Sequence, residues 1–290
     1  MKIVILDTET TGIKEEDRIC QLSFIIANQK LEIEEIYNEL IKPPVPISYD
    51  AMAIHHITNE DIQNALPIEK TKAYQKLIEL NKIENILVIH NAEFDIKMLQ
   101  KEGFTPNFRV IDTFRVLKHI LPTGKFSLQY NRYALGLYKK ESEIANKYNI
   151  TINPHDALSD VIVLYLLLVY LKEQYSFDEL IELTQKPILQ EKFYMGKYKF
   201  QKIKDVIIKH PDYIENLLHT KDTPEDIIYS INHYLKELDE PMQFRFSVGK
   251  YKGMLIEDVA KIDKEYLKWA YHNMKMGKWM RERIKELLSL

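Results

Sequence analysis

The chain has 290 residues and a mass of 34.4 kDa, with 46% hydrophobic and 29% charged residues, which allows one large domain and a smaller one and excludes a disordered chain or a coiled coil. Its single cysteine, Cys20, excludes an internal disulfide and a cysteine-rich zinc site and favours a reducing compartment. The net charge of -3 is unevenly divided: residues 1–185 carry 20 basic and 27 acidic residues, and 186–290 carry 20 and 16. An acidic first part suits a metal site, and the second part is mildly basic.

The sequence predicts a soluble, cytoplasmic protein without a membrane segment. The most apolar run, residues 161–171, follows Asp160 and is too short to span a bilayer. The N-terminus enters a strand-like stretch without the pattern of a signal peptide.

The first elements in chain order are strands. Residues 2–6 are apolar and β-branched, as in a central strand buried on both faces. Residues 19–27 and 31–41 are predicted as two extended stretches that form a hairpin around residues 28–30. Three prolines within residues 43–46 then prevent further sheet pairing.

Helical periodicity alternates with one more strand in the next part of the chain. Strands that are followed by alternating helices and strands indicate an α/β domain with a mixed sheet. The predicted elements are a helix at 71–82, a strand at 86–89, and helices at 92–102, 113–120 and 158–173.

The C-terminal part repeats itself. The segment Phe193–Lys199 recurs as Phe246–Lys252, with an offset of 53 residues between Gly196 and Gly249. We therefore predict a tandem pair of small α+β modules, each with an extended aromatic segment, a Gly-Lys turn and helices.

Acidic residues stand at the end of the first strand. Asp7 and Glu9 are two residues apart, so on a strand they share a face with Cα atoms roughly 6.6 Å apart. Two such carboxylates repel each other unless they share a hard cation. For an isolated pair, a solvated turn is the competing interpretation.

Two further acidic segments border apolar elements. Asp95 lies in the first turns of a predicted helix that follows the strand at 86–89, and Asn91 is placed to cap that helix. Asp160 opens the longest apolar helix, and His155 precedes it. Five residues of helix would separate their side chains by roughly 140°, so we predict that His155 lies on the preceding loop, folded over Asp160. The three acidic segments together predict a joint metal site.

These residues resemble a known superfamily. Asp7–Gly12, His90–Asp95, and His155 with Asp160 are similar to the three exonuclease motifs of the DnaQ-like DEDD superfamily, in its histidine subgroup. The order and spacing fit over residues 1–175.

The resemblance narrows to the exodeoxyribonuclease X family and then covers nearly the whole chain. Ala51–Thr58 resembles that family's segment after the third strand, and Phe193–Lys199 resembles its C-terminal Phe-x-x-Gly-Lys-Tyr signature. The chain departs from the pattern by its second C-terminal module and by Phe200, where the second module has Gly253. The predicted domains are an exonuclease domain at 1–175 and modules at 186–240 and 241–290.

The resemblance implies an RNase H-like fold and 3′-to-5′ removal of nucleotides. It implies that Asp7, Glu9, Asp95 and Asp160 hold two Mg²⁺ or Mn²⁺ ions, which suit carboxylate ligands better than Zn²⁺ does. His155 would be the general base, since its unperturbed pKa near 6.5 suits work at neutral pH.

Further residues are predicted to contact the substrate. Each has a structural alternative: turn chemistry for the threonines, loop packing, a helix cap for Asn91, or a core position for Phe94. The predicted contacts are Thr8, Thr10, Ile54, His55, Asn91, Phe94, Lys125 and Phe126.

The C-terminal modules carry lysines beside tyrosines. The pairs are Lys197 with Lys199 and Lys250 with Lys252, and they suggest contacts with phosphates, with a base stacked on the tyrosine between them. Inward-facing tyrosines on a hairpin with solvated lysines are the alternative.

The leading hypothesis is a metal-dependent 3′-to-5′ DNA exonuclease that acts in repair or turnover. Its partner would be DNA with a free 3′ end, single-stranded or duplex. An exoribonuclease of the same fold stays open, because nothing in the sequence reports on a 2′-hydroxyl. A non-catalytic nucleic-acid-binding adaptor is the alternative of another class.

Overall fold

The computed structural model describes residues 1–121, 124–151 and 156–290. They form two compact units, Met1–Lys186 and Pro187–Leu290. The first unit extends beyond the predicted limit at 175, because the helix Phe177–Gln185 packs on the last strand of its sheet.

A mixed sheet forms the centre of the first unit. The second strand runs antiparallel to the first and third, and the first, fourth and fifth are parallel. The strands are β1 (Ile3–Thr10), β2 (Ile19–Ala27), β3 (Ile33–Leu40), β4 (Ile86–Ile89) and β5 (Arg109–Asp112). In space they lie in the order β3-β2-β1-β4-β5, which agrees with the predicted RNase H-like sheet.

Helices cover both faces of this sheet. The helices described in this unit are α1 (Tyr49–His55), α2 (Lys72–Leu80), α3 (Ala92–Lys101), α4 (Thr113–Ile120), α5 (Leu128–Ala134), α6 (Tyr138–Tyr148), α7 (Ala157–Lys172) and α8 (Phe177–Gln185). Alternate residues of β1 point to opposite faces: Ile3 and Ile5 pack with α4, α7 and α8, and Val4 and Leu6 pack with α2 and α3. None of the helices in the described ranges is both long and apolar enough to cross a bilayer.

The sequence predicts best the elements whose residues show a clear apolar or helical pattern. The hairpin of β2 and β3 is confirmed, and so are β4 and α4 at their predicted bounds. The sequence pattern does not predict β5, a strand of only four residues that begins at the charged Arg109. The short or polar helices α1, α5, α6 and α8 were not predicted either, because they bury few apolar side chains.

Helices related by the 53-residue offset make up the second unit. Each half has a single isolated bridge, Lys192 with Lys202 and Arg245 with Leu255, so the predicted extended segments contribute only one bridge each. The helices are α9 (Ile203–Lys209), α10 (Pro211–His219) and α11 (Glu225–Lys236), then α12 (Ile256–Ile262), α13 (Lys264–Asn273) and α14 (Lys278–Leu288).

The Gly-Lys turn recurs with the same geometry in both halves. Gly196 and Gly249 have φ angles of +74° and +87°, a conformation that favours glycine. A Cβ atom added to Gly196 would lie 2.6 Å from the Tyr213 hydroxyl, and one on Gly249 would clash with the Tyr266 hydroxyl. Glycine is therefore required in each turn by conformation and by space.

Gly253 and Gly249 of the second half allow the cost of backbone conformation to be measured apart from the cost of a steric clash. Gly253 has a φ of +86° and open space around its Cα atom. Gly253→Ala is expected to lower the free energy of unfolding by about 1–2 kcal/mol through strain alone. Gly249→Ala should lose about 1–3 kcal/mol more, because the methyl group meets the Tyr266 hydroxyl. Urea unfolding followed by circular dichroism measures both, and equal losses would contradict the steric argument.

Candidate active site

Two of the predicted carboxylates, Asp7 and Glu9, lie on the part of β1 that extends beyond its pairing with β4. β4 pairs with β1 only along residues 3–5, whereas β1 continues to Thr10 beside β2. Asp7 and Glu9 are both half-buried and lie beyond this pairing. They therefore face the region where the chain leaves β4 and enters α3.

The third carboxylate is anchored to β1 by a hydrogen bond. Asp95 lies in the first turns of α3 and is 4% exposed. The hydroxyl of Thr8 donates to Asp95 Oδ1 at 2.7 Å. Thr8, which lies between the two strand carboxylates, thus ties α3 to the end of β1.

The fourth carboxylate is held from the neighbouring helix. Asp160 lies in the first turn of α7, and the amide of Gln129 donates to its Oδ1 at 2.5 Å. The guanidinium of Arg132 donates to Gln129 Oε1 at 3.2 Å and forms two hydrogen bonds with the buried Glu141. This chain of contacts fixes the orientation of the Gln129 amide.

The four residues Asp7, Glu9, Asp95 and Asp160, here called the carboxylate cluster, share one electrostatic environment. Burial raises the pKa of Asp7 well above its usual range, and the other members of the cluster raise it further. Burial and repulsion from Asp160 and Asp95 raise the pKa of Glu9 to about 8. Burial also raises the pKa of Asp95, and the Thr8 hydroxyl partly opposes this. The fold therefore concentrates negative charge that a cation would neutralise.

The donor set of the cluster suits a hard divalent cation. All four side chains offer oxygen, which Mg²⁺ and Mn²⁺ prefer. Within the described ranges, no three His, Cys, Asp or Glu side chains are gathered into a group that could hold an ion. A bound cation would offset the mutual repulsion of the ionised carboxylates.

A residue that sequence analysis missed, Asp112 at the end of β5, positions α3. Its carboxylate accepts hydrogen bonds from the backbone N–H groups of Asn91 and Ala92 at 3.0 and 3.1 Å, and it also caps α4. Asn91 occupies the N-cap position with φ +67° but makes no side-chain cap hydrogen bond, so its predicted capping role is wrong. Asp112 supplies that contact, and an acidic residue at the end of an apolar strand is the available sequence signal.

A second missed residue, Gln21, positions the start of α7. Its amide nitrogen donates to Asp156 Oδ1 at 2.8 Å and to Asn38 Oδ1 at 2.9 Å, and its oxygen accepts from the Ala157 N–H at 3.2 Å. Gln21 is 3% exposed and lies opposite Glu9 in the sheet. A lone glutamine within a buried strand gives no sequence signal for this role.

The predicted general base, His155, lies outside the described residues, so its position and role remain a prediction. Burial raises the pKa of the Cys20 thiol to about 12, so this thiol stays protonated near neutral pH and is not a candidate nucleophile.

A cavity of about 420 Å³ opens beside the carboxylate cluster, and it is here called the Glu9 cavity. Ile54 is 60% exposed and Phe94 is half-buried, so both leave apolar surface for a ligand. The cavity brings together five of the eight predicted substrate contacts: Thr8, Thr10, Ile54, His55 and Phe94.

His55 holds the wall of this cavity together. Its Nδ1 accepts from the Ile57 N–H at 3.0 Å, which leaves Nε2 to donate to the Thr10 carbonyl at 3.1 Å. Burial lowers the pKa of His55, in agreement with a neutral ring. The Nδ1 contact fixes the orientation of the ring, and the Nε2 contact attaches α1 to the end of β1.

The other three predicted contacts do not line the Glu9 cavity. The side chain of Asn91 is exposed. Phe126 packs edge-on against Phe114, with 6.3 Å between ring centroids, as part of the core. The ammonium of Lys125 lies 5.1 Å from the ring centroid of Tyr130.

The chain is similar to known exonucleases. Residues 4–168 match the family model described as Exonuclease, and residues 246–275 match the Exodeoxyribonuclease X-like C-terminal model. The chain is 27% identical over 240 residues to Exodeoxyribonuclease 10 of Escherichia coli K12, covering 80% of this chain and 98% of that protein. It is 26% identical over 226 residues to a PolC-type DNA polymerase III of Streptococcus pyogenes, covering 75% of this chain and 14% of the polymerase.

Two solved structures are also similar. Exonuclease X in complex with 5′ overhanging duplex DNA has a TM-score of 0.47 and 24% identity, covering 63% of this chain and 98% of that one. Escherichia coli Exonuclease I in complex with a dA16 oligonucleotide has a TM-score of 0.46 and 17% identity, covering 62% and 42%.

The Thr8 hydroxyl should strengthen cation binding. Thr8→Val removes the hydrogen bond that favours ionised Asp95, so Mg²⁺ affinity is expected to fall about tenfold. A Mg²⁺ titration of the melting temperature at pH 7.5 measures this. Thr8→Ser keeps the hydroxyl and is the matched control. Equal Mg²⁺ dependence of the valine and serine variants would contradict the role of the hydrogen bond.

Stability without metal should fall as pH rises. With a native pKa of about 8 against 4.5, Glu9 holds a proton longer in the folded state. Its stabilising contribution is complete below pH 4.5 and is lost as pH rises to about 8. In EDTA at pH 8.5, Glu9→Gln is expected to melt a few degrees above wild type, since roughly 1 kcal/mol corresponds to 2–4 °C.

Melting curves in EDTA at pH 5 and pH 8.5 test this dependence. The difference between Glu9→Gln and wild type should shrink at pH 5, and Mg²⁺ should stabilise wild type more than the variant at pH 8.5. The exposed Glu84→Gln serves as the control. A Glu9→Gln variant that is less stable than wild type at pH 8.5 would refute the argument from repulsion.

Proposed function

Because the chain belongs to the exonuclease family, we propose that it hydrolyses DNA from 3′ ends and releases nucleoside monophosphates, in DNA repair or turnover. The observation that carries this proposal is the carboxylate cluster beside the Glu9 cavity. The similarity to Exodeoxyribonuclease 10, which extends over 98% of that protein, supports DNA as the substrate.

The carboxylate cluster would hold the catalytic metal. Asp7, Glu9 and Asp160 would ligate one Mg²⁺ or Mn²⁺ ion, and Asp7 with Asp95 would ligate a second. Such ions, when bound, stabilise charge on the attacking and leaving oxygens of a phosphoryl displacement. The Thr8 hydroxyl favours the ionised form of Asp95, and the Gln129 amide orients Asp160.

The protein supplies the proton transfer and the placement of the 3′ end. His155 would accept a proton from the attacking water at a ring nitrogen, since a neutral imidazole is available near pH 7. The Glu9 cavity would hold the terminal nucleotide, with its base and sugar against Ile54 and Phe94. Its volume of about 420 Å³ lies within the usual range for small ligands.

A strand-shortening assay tests the function. Single-stranded DNA, duplex DNA and RNA, each labelled at the 5′ end, are incubated with Mg²⁺ and the protein. DNA should shorten stepwise from its 3′ end, and EDTA should stop the reaction. Asp7→Asn should reduce the rate by more than about 100-fold, because it removes a metal ligand worth several kcal/mol. The exposed Asp222→Asn should retain full activity.

Each other outcome contradicts a separate part of the proposal. Shortening of RNA without DNA would reassign the substrate, and internal cleavage products would exclude an exonuclease. Activity that survives both EDTA and Asp7→Asn would exclude the carboxylate cluster as the catalytic site.

A further inference from the structure

The two lysine turns of the second unit have different surroundings. In the second half, the Lys250 ammonium lies 2.9 Å from Asp263 Oδ2, and the Tyr251 hydroxyl donates to the same oxygen at 2.8 Å. Asp263 thus neutralises Lys250, the first lysine of its turn, and also caps α13.

The first half lacks this neutralisation. His210 occupies the position that corresponds to Asp263, and its ring stacks on Tyr198 with 4.5 Å between centroids. Lys197 corresponds to Lys250 and forms no ion pair with any acidic residue in the described part of the chain. Its ammonium lies 5.1 Å from the ring centroid of Tyr198.

Further basic groups surround Lys197. Lys209 lies at the position of Ile262 and lines the cavity, whereas the adjacent Lys261 of the second half aligns with Ile208 and pairs with Asp258. Lys197, Lys209, His210 and Arg245 line this cavity of about 560 Å³, here called the Lys197 cavity. Burial and then the charges of Lys197 and Lys209 lower the pKa of His210, which agrees with their close approach. The start of α10 lines the same cavity and adds a favourable dipole for an anion.

The one acidic residue that lines the Lys197 cavity faces another helix. Asp212 Oδ1 lies 3.6 Å from the position of a Cβ atom on Gly277, just before α14. Its neighbour Glu215 accepts a hydrogen bond from the Trp279 N–H at 3.2 Å. This acidic pair is therefore directed toward the start of α14, and the basic groups dominate the cavity.

The predicted base-stacking role of Tyr198 does not fit the structure. Its ring is 8% exposed and is covered by His210 and Tyr213, so no face is open to a base. The chemistry that the Lys197 cavity offers is charge for a phosphate.

We propose that the Lys197 cavity binds a backbone phosphate of the DNA substrate, whereas the equivalent turn of the second half does not. The proposal rests on the proposed function only in taking DNA as the ligand. Lysine ammonium groups bind phosphate as point charges, and Lys197 has no ion-pair partner among the described residues, whereas the equivalent Lys250 pairs with Asp263.

A pair of matched substitutions tests the difference between the halves. The full chain is titrated against a fluorescein-labelled single-stranded oligonucleotide in EDTA, and fluorescence anisotropy is read at several salt concentrations. Lys197→Gln should weaken binding about 3- to 10-fold and lower the log–log salt slope by about 0.7, the loss of one phosphate contact. Lys250→Gln should change neither quantity. Lys197→Arg keeps the charge and should bind like wild type.

His210→Asp provides a second test without touching a lysine. It recreates the arrangement of the second half, so it should neutralise Lys197 and weaken binding as Lys197→Gln does. The variant is expected to fold, because Asp263 caps the equivalent helix. Circular dichroism of each variant checks this directly.

The outcomes separate this inference from the proposed function. If Lys197→Gln and His210→Asp bind DNA like wild type while Asp7→Asn still abolishes cleavage, the inference fails and the proposed function stands. Equal losses for Lys197→Gln and Lys250→Gln would also overturn it. If the wild type binds DNA in the expected pattern but does not shorten it, the inference holds and the proposed function fails.

Discussion

Repulsion between carboxylates at the end of a buried strand is the constraint on which the first unit depends. β1 is covered on both faces, so water cannot fully screen Asp7 and Glu9. The surrounding contacts partly offset this penalty: Thr8 holds Asp95, and Gln129 holds Asp160. The repulsion between these carboxylates lowers the stability of the fold without a cation, and its relief contributes free energy to cation binding.

The sequence predicts those parts of the site whose signal is local. Apolar runs give the strands, and the acidic residues that follow them mark their ends. The position of Asp112 at the end of an apolar strand is a sequence signal, but the partners of Asp112 and Gln21 could not be predicted, because they are distant along the chain. Gln21 reaches Asp156 across 135 residues, and Asp112 reaches Asn91 across 21. Such contacts depend on tertiary structure, which periodicity does not report.

The two turns of the C-terminal repeat also differ in a way that their shared sequence does not predict. The shared Gly-Lys-Tyr-Lys sequence predicts equivalent turns, and the two turns do have matching backbone hydrogen bonds, such as Lys199 to Gly196 and Lys252 to Gly249. Their electrostatic difference arises at residues 210 and 263, eleven positions after the second lysine of each turn. Only the folded structure shows that these positions contact the turn.

The starts of α10 and α13 satisfy the same backbone N–H group in different ways. His210 makes no side-chain cap hydrogen bond, whereas Asp263 caps α13. The Tyr213 N–H, equivalent to the Tyr266 N–H that Asp263 accepts, bonds instead to the His210 carbonyl at 3.1 Å. The side chain at residue 210 is therefore not needed as a cap, and it covers the Tyr198 ring instead. A single position thus decides whether the first lysine of each turn keeps its positive charge or is neutralised.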